Sequence, residues 1–229
     1  RWLCNLPDPH CDWAFCSGTE VSMSERFTTD ELAWHAWLEP VDPATGSDEE
    51  RRVIADSVWP NSPYFRLLAH HPSSLETRTA VDKAVFLGRP GLSRGERELA
   101  ATVTSRVNGC VLCTSVHARF TSTFTRRPDD VVRLLEGGVD IELDGRWRAI
   151  ADAAAALTAV PSVFGDEHVD ALVAQGFTEI EILDIVQSTA FFAWANRLML
   201  SLGESAAPDA DDEQALGDQR QADAAAAKG

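Results

Sequence analysis

Two cysteines and a histidine stand three and four residues apart in the stretch Asn108-Gly109-Cys110-Val111-Leu112-Cys113-Thr114-Ser115-Val116-His117, in a chain with five cysteines and six histidines. Thiols and an imidazole at these spacings can bind a metal, form a disulfide, carry out redox chemistry or simply fill a core. Asn108-Gly109 is a helix stop, which predicts a new helix from about Cys110. At about 100° per residue, Cys110, Cys113 and His117 then fall within roughly 60° of one another on one helical face. Cys113 lies in the first turn, where unpaired N–H groups and the macrodipole favour negative charge. A thiol so placed, or in a C-x-x-C pair, is expected to titrate below its ordinary value of about 8.5, somewhere near 3.5–7.5. The thiolate is the species that attacks peroxides and disulfides. His117, one turn on, is placed to accept or return a proton. Two thiols three apart also let one be oxidised and the other resolve it as a disulfide. Structural zinc needs four ligands; three lie here and no second C-x-x-C or H-x-x-H follows, so no metal is assigned to the motif. The plainer alternative, two small buried cysteines and a hydrogen-bonded helix histidine, is the better reading of a lone cysteine but not of three such residues on one face.

The elements that must hold this motif read as helix after helix. Ser47-Asp48-Glu49-Glu50, Ser93-Arg94-Gly95-Glu96 and Thr178-Glu179-Ile180-Glu181 are S/T-x-x-E capping boxes. They predict helices near 48–58, 94–107 and 179–202, and further helical segments are expected at 62–70, 73–87, 111–126, 128–136, 145–159 and 166–175. Breaks fall at Pro72, Gly88-Arg89-Pro90-Gly91, Asn108-Gly109, Gly137-Gly138, Pro161 and Gly176. Alternating strand patterns of useful length are absent, with 141–143 (IEL) the nearest. The expected fold class is all-α. The segment 179–202 is apolar nearly all round, although Asp184, Gln187, Asn196 and Arg197 argue against a membrane span. Such a helix is expected to be central or to pack at a subunit interface, which predicts an oligomer.

Composition sets the outer limits. A 229-residue chain with 45% hydrophobic and 24% charged residues is ordinary for a globular protein with a real core. Its formal charge of −16 argues against nucleic-acid and anionic-membrane partners, both of which need a basic face. From Gly203 onward seven acidic residues (Glu204, Asp209, Asp211, Asp212, Glu213, Asp218 and Asp223) face only Arg220 and Lys228, and Leu216 is the sole large apolar residue. Residues 204–229 are therefore expected to be a disordered acidic tail. At the other end, residues 1–22 hold Cys4, Cys11, Cys16 and His10 at spacings that fit no familiar zinc pattern. This stretch is read as an extension preceding a natural start at Met23. No secretory or transit signal is evident, so a cytoplasmic, reducing compartment without structural disulfides is expected.

The residues also carry a resemblance. LSRGERELAATVTSRVNGCVLCTSVHARF (92–120) resembles the core motif of the alkylhydroperoxidase D-like, or carboxymuconolactone decarboxylase-like, proteins: a glutamate followed some twelve residues later by C-x-x-C-x-x-x-H. The match falls on Glu98, Cys110, Cys113 and His117. Further likeness spans roughly 27–203, including 34–42, 62–72 and 190–203, and points to a peroxidase-related subgroup. The resemblance implies a multi-helix bundle over 23–203, with a motif-bearing core at 62–126 and a second helical half at 144–203, assembled as a trimer or hexamer. It implies thiol peroxidase chemistry on hydroperoxides without a bound cofactor. Cys113 would attack the peroxide, Cys110 would resolve the sulfenic acid, and Glu98 and His117 would relay protons. A lipoyl-bearing or thioredoxin-like dithiol would then reduce the disulfide. The family prototype has a second histidine just before the second cysteine; here that position is Leu112. Two other functions stay open: decarboxylase-type acid–base chemistry on a lactone, and a non-catalytic oligomeric redox sensor.

Remaining candidates have plainer readings. Taken without the family spacing, Glu98 reads as an exposed first-turn complement to the helix dipole rather than a buried proton shuttle. His70 and His71 precede Pro72 and mark a helix boundary, while His10, His35 and His168 have no partner at useful spacing. Arg197 is expected to pair with a carboxylate such as Asp184 or one on a neighbouring chain.

Overall fold

The computed structural model describes residues 27–226 and 228; the expectations for residues 1–22 lie outside them. Helices α1 (Asp48–Asp56), α2 (Pro63–Leu68), α3 (Pro72–Leu87), α4 (Arg94–Val107), α5 (Val111–Thr125), α6 (Pro128–Gly137), α7 (Gly145–Thr158), α8 (Asp166–Ala174) and α9 (Glu179–Leu202) follow one another. They fall within about two residues of the expected segments, so the fold is all-α as the sequence implied. Ser47 and Thr178 form the reciprocal capping boxes that their sequences announce. Ser93 does only half the job. Its hydroxyl accepts the Glu96 N–H at 3.4 Å, but the Glu96 carboxylate turns to Arg146 (2.5 Å to Nε) instead of the cap backbone, because a guanidinium is the stronger donor.

Helix α4 lies at the centre. Every residue from Gly95 to Ser105 is buried, and the apolar clusters meet it on two sides. One gathers Leu99, Ala100 and Val103 with Val131, Leu134, Ile150 and Ile185; the other gathers Ala101 with Phe65, Cys113, Phe191 and Phe192. Small residues and back-bonded hydroxyls let the neighbours approach: Thr102 and Thr104 donate to the carbonyls of Glu98 and Ala100, each at 2.8 Å. Helix α9, expected to be buried all round, packs on α4 along one side but leaves Ile180, Leu183, Trp194 and Leu200 exposed.

Two expectations are corrected. The chain from 203 to 226 is ordered: β2 (Gly203–Ala206) pairs antiparallel with β1 (Ala33–Ala36), and α10 (Glu213–Ala226) follows a 3-10 turn at Ala210–Asp212. Its acidic residues find partners that local composition cannot reveal. Asp218 accepts from Asn61 (2.7 and 2.9 Å), Asp223 from Arg119 (2.8 Å), and Arg220 reaches Glu31 (2.9 Å), while Leu216 is driven under the helix to 1% exposure. Gly203 makes the strand pairing possible, since a Cβ there would meet the His35 carbonyl and the Trp34 ring at 2.4 Å. Second, Asp184 does not pair with Arg197. It takes the buried Arg97 at 2.7 Å and the Leu92 N–H at 2.8 Å, and Arg197 lies exposed. The enclosed cation has the greater need of a carboxylate.

The turn between α4 and α5 sets the position of the motif. Gly109 has φ +75, Cys110 N–H donates to Ser105 O (2.9 Å), and Gly109 N–H donates to Arg106 O (3.2 Å). This pair of bonds is a Schellman motif with glycine in the left-handed position. Cys110 thereby closes α4 and is also the N-cap of α5. A Cβ at Gly109 would meet nothing within 4 Å, so Gly109→Ala is expected to cost only the backbone term, about 1–2 kcal/mol. Thermal or denaturant unfolding of the variant checks this; a neutral effect would show that the turn carries no conformational demand.

Candidate active site

The four residues singled out by the sequence come together, from two helices and the turn between them. Glu98 on α4 is 0% exposed, His117 on α5 is 8%, and Glu98 Oε2 lies 2.5 Å from His117 Nδ1. The expectation that Glu98 is an exposed first-turn complement is therefore wrong: α4 is central, and its first turn faces protein rather than water. The other carboxylate oxygen accepts from Arg94 Nε at 2.5 Å. With Nδ1 bound to Glu98, the Nε2 edge of His117 is left for other partners. Its ring stacks on Phe86 (5.8 Å, 28°) and meets Phe192 edge-on (3.9 Å).

Cys110 and Cys113 are free thiols, 2% and 5% exposed. Cys113 Sγ touches Met199 Sδ at 3.2 Å. Cys113 and His117 both line a cavity of about 450 Å³, walled by Tyr64, Phe86, Arg94 and, on the α10 side, Leu216. Cys110 does not line it. In that wall Arg78 is balanced by Asp82 at 3.0 Å, and burial pushes the Tyr64 phenol up to about 12, so it stays neutral. Among the described residues no helix is long and apolar enough to cross a membrane.

Comparisons with known proteins bear on the family and the fold. Residues 72–156 match the model of the Carboxymuconolactone decarboxylase family. A peroxidase-related protein of uncharacterised function from Ralstonia eutropha JMP134, with an alkylhydroperoxidase AhpD core, is 26% identical with a TM-score of 0.63; the match covers 73% of this chain and 90% of that one. The chain is thus similar to the Carboxymuconolactone decarboxylase family over residues 72–156 and to a solved structure with an alkylhydroperoxidase AhpD core. A second peroxidase-related protein, from Silicibacter sp. TM1040, is 27% identical over 64% of this chain and 76% of that one, TM-score 0.56. The debrominase Bmp8 shares the fold at 15% identity over 81% and 98% of the two chains, TM-score 0.62. No curated protein matches the chain.

Two features of this site were not legible in the sequence. The first is the order of the thiols. Cys113, expected to be acidified by the helix start, is instead held well above the ordinary thiol value by its hydrogen bond to Cys110, by burial and by the charge of Cys110. Cys110 is the acidified one, through the Cys113 thiol first and then the Cys113 backbone N–H and the Asn196 amide, against the cost of burial. Cys110 is the N-cap residue of α5, just outside the first turn, where the Cys113 backbone N–H favours its thiolate. The second is Asn196 on α9, fully buried. Its amide donates to Ser105 Oγ at 3.1 Å and its oxygen accepts from Asn108 at 3.0 Å, which fixes the NH2 toward the sulfurs. The apolar run around Asn196 marked it as unusual; nothing in the sequence marked its target. Among the other histidines, His35 meets Asp212 at 3.4 Å, which the sequence did not suggest, and His71 is the N-cap of α3 ahead of Pro72.

A lowered first ionisation means that the pair carries a thiolate above that value and loses it as pH falls through it. Asn196→Ala removes a donor that favours ionisation of both thiols, so the thiolate absorbance near 240 nm is expected to rise at higher pH than in the wild type. An unchanged titration would show that Asn196 does not reach the sulfurs.

Proposed function

We propose that the chain is a thiol-dependent peroxidase that reduces hydroperoxides through Cys113 and Cys110, with Glu98 and His117 as proton relay. The observation that carries this reading is the placement of Cys113 and His117 in the wall of one apolar cavity, with a buried carboxylate on the far side of the imidazole. Of the two thiols, Cys110 is the more readily ionised and Cys113 the less. The reaction therefore begins when the Cys113 proton passes to Cys110 or His117, leaving a Cys113 thiolate toward the cavity. That thiolate attacks the distal peroxide oxygen; the O–O bond breaks, Cys113 becomes the sulfenic acid, and the alkoxide takes a proton to leave as the alcohol. Cys110 then attacks the Cys113 sulfur, forming the disulfide and releasing hydroxide, which a proton from His117 converts to water. An external dithiol, lipoyl-bearing or thioredoxin-like, reduces the disulfide and is itself oxidised. No resident cofactor is required, and a reducing, cytoplasmic setting suits the free thiols.

Acid–base chemistry on a lactone is the second reading. It is favoured by the family match over 72–156 and by the Glu98–His117 pair, which needs no thiol to move protons. Turnover of hydrogen peroxide and cumene hydroperoxide with dihydrolipoamide separates the two, using the full chain with Cys4, Cys11 and Cys16 changed to Ser. Cys113→Ser is expected to fall to background and Cys110→Ser to stop after one oxidation. His117→Gln is expected to slow turnover about 10²–10⁴-fold. Background rates in every protein would remove the peroxidase reading and leave the acid–base one.

Assembly into a homo-oligomer, trimer or hexamer, belongs to the same proposal. Ile180, Leu183 and Trp194 are exposed on α9 and fall within about 60° of one another on its surface. Light scattering is expected to show an oligomer that Trp194→Glu dissociates; a monomeric wild type would refute it.

A further inference from the structure

Arg94 was not a candidate in the sequence, yet it is the closest permanent charge to the proposed relay. It occupies the first position of α4 and donates from Nε to Glu98 Oε1 at 2.5 Å and from Nη1 to the Phe86 carbonyl at 3.1 Å. Its guanidinium lies over the rings of Phe86, Phe120 and Phe124 at 5.2, 5.7 and 5.4 Å. Phe86 in turn stacks on His117. One carboxylate thus stands between a guanidinium, which keeps its proton, and an imidazole, which can take up or release one.

Charge counting gives the consequence. Arg94, Glu98 and a neutral His117 sum to zero, so the enclosed site is balanced with the imidazole free to take a proton. Without the guanidinium, Glu98 and a neutral His117 would leave a net negative charge with no exposure to water. Burial disfavours that state strongly, and the site would relieve it by taking up a proton on His117 or on the carboxyl itself. The other groups facing the site do not replace Arg94. On α3, Arg78 is matched by Asp82 (3.0 Å); on α2, Tyr64 is neutral; Asp212 is engaged by His35 (3.4 Å). On α5 the thiol pair carries at most further negative charge, and α9 presents Phe192 and Asn196, which carry none.

We propose that Arg94 is a positioning residue that holds Glu98 ionised and thereby keeps His117 neutral as the proton acceptor of the reaction. This rests on the relay assigned above. It acts through Glu98, without contact with the reacting sulfur. Arg94 thus sets the pH range in which the enzyme works, and its stacking fixes the ring that fixes His117.

The test compares wild type, Arg94→Met and Arg94→Lys in the full chain, with Arg94→Met keeping most of the apolar stem over the phenylalanines. The acid limb of kcat/KM for cumene hydroperoxide is expected to move upward by about one to three pH units in Arg94→Met. Activity lost at neutral pH should return at alkaline pH, and Arg94→Lys should keep the wild-type limb. A uniform loss at every pH with the limb in place, or no change, overturns the proposal in favour of a packing role. NMR titration of the imidazole, assigned with His117→Gln, reads the same shift without turnover. A silent enzyme whose His117 midpoint still rises in Arg94→Met would sink the peroxidase reading and keep this one. If Arg94→Met does not fold, Arg94→Lys decides, because a His117 midpoint displaced by a unit or more with the charge retained contradicts the proposal.

Discussion

Glu98 has no access to solvent, and a carboxylate in that position is tolerated only with partners on both oxygens. Arg94 supplies one and His117 the other. Much of the surrounding architecture follows from meeting this demand. Helix α4 must be central enough to bury Glu98 and begin where Arg94 can fold back over it. Helix α5 must run beside α4 in the register that brings His117 level with Glu98. The aromatic residues of α3, α5 and α9 close around the ion pair, excluding the water that would otherwise weaken it.

The Schellman turn at Asn108-Gly109-Cys110 reconciles two requirements. It reverses the chain tightly enough for α4 and α5 to pack side by side, and it leaves Cys110 in the N-cap position of α5. The thiol there is the more readily ionised, while Cys113, one turn inside, touches Met199 Sδ and faces the cavity. The thiol that faces the cavity is thus the harder of the two to ionise.

The C-terminal segment completes the cavity. Leu216 is its single large apolar anchor, and most of its other attachments are polar: Asn61 with Asp218, Arg119 with Asp223, Arg220 with Glu31. A helix held this way contributes little to the core and much to the enclosure of the thiols. Ser205 of β2 also accepts the Leu112 N–H at 3.2 Å, tying the added strand to the first turn of the motif helix.

Local signals in the sequence were enough for the helices, because apolar period, capping residues and glycine breaks act within a few residues. The same signals put Cys110, Cys113 and His117 on one face, and family spacing brought in Glu98. What depends on contacts between distant segments was not legible. The amide that favours ionisation of both thiols comes from Asn196, eighty-six residues beyond Cys110, and their order turns on which sulfur the other thiol and the Cys113 N–H favour. The burial of Glu98 turns on α4 being central, which the more apolar α9 concealed. The pairing of Asp184 with Arg97 and the docking of the acidic C-terminal helix depend on partners that charge counting along the chain cannot identify. Periodicity tells which face of an element is apolar; only the packed structure decides which charges are left without water and must find one another.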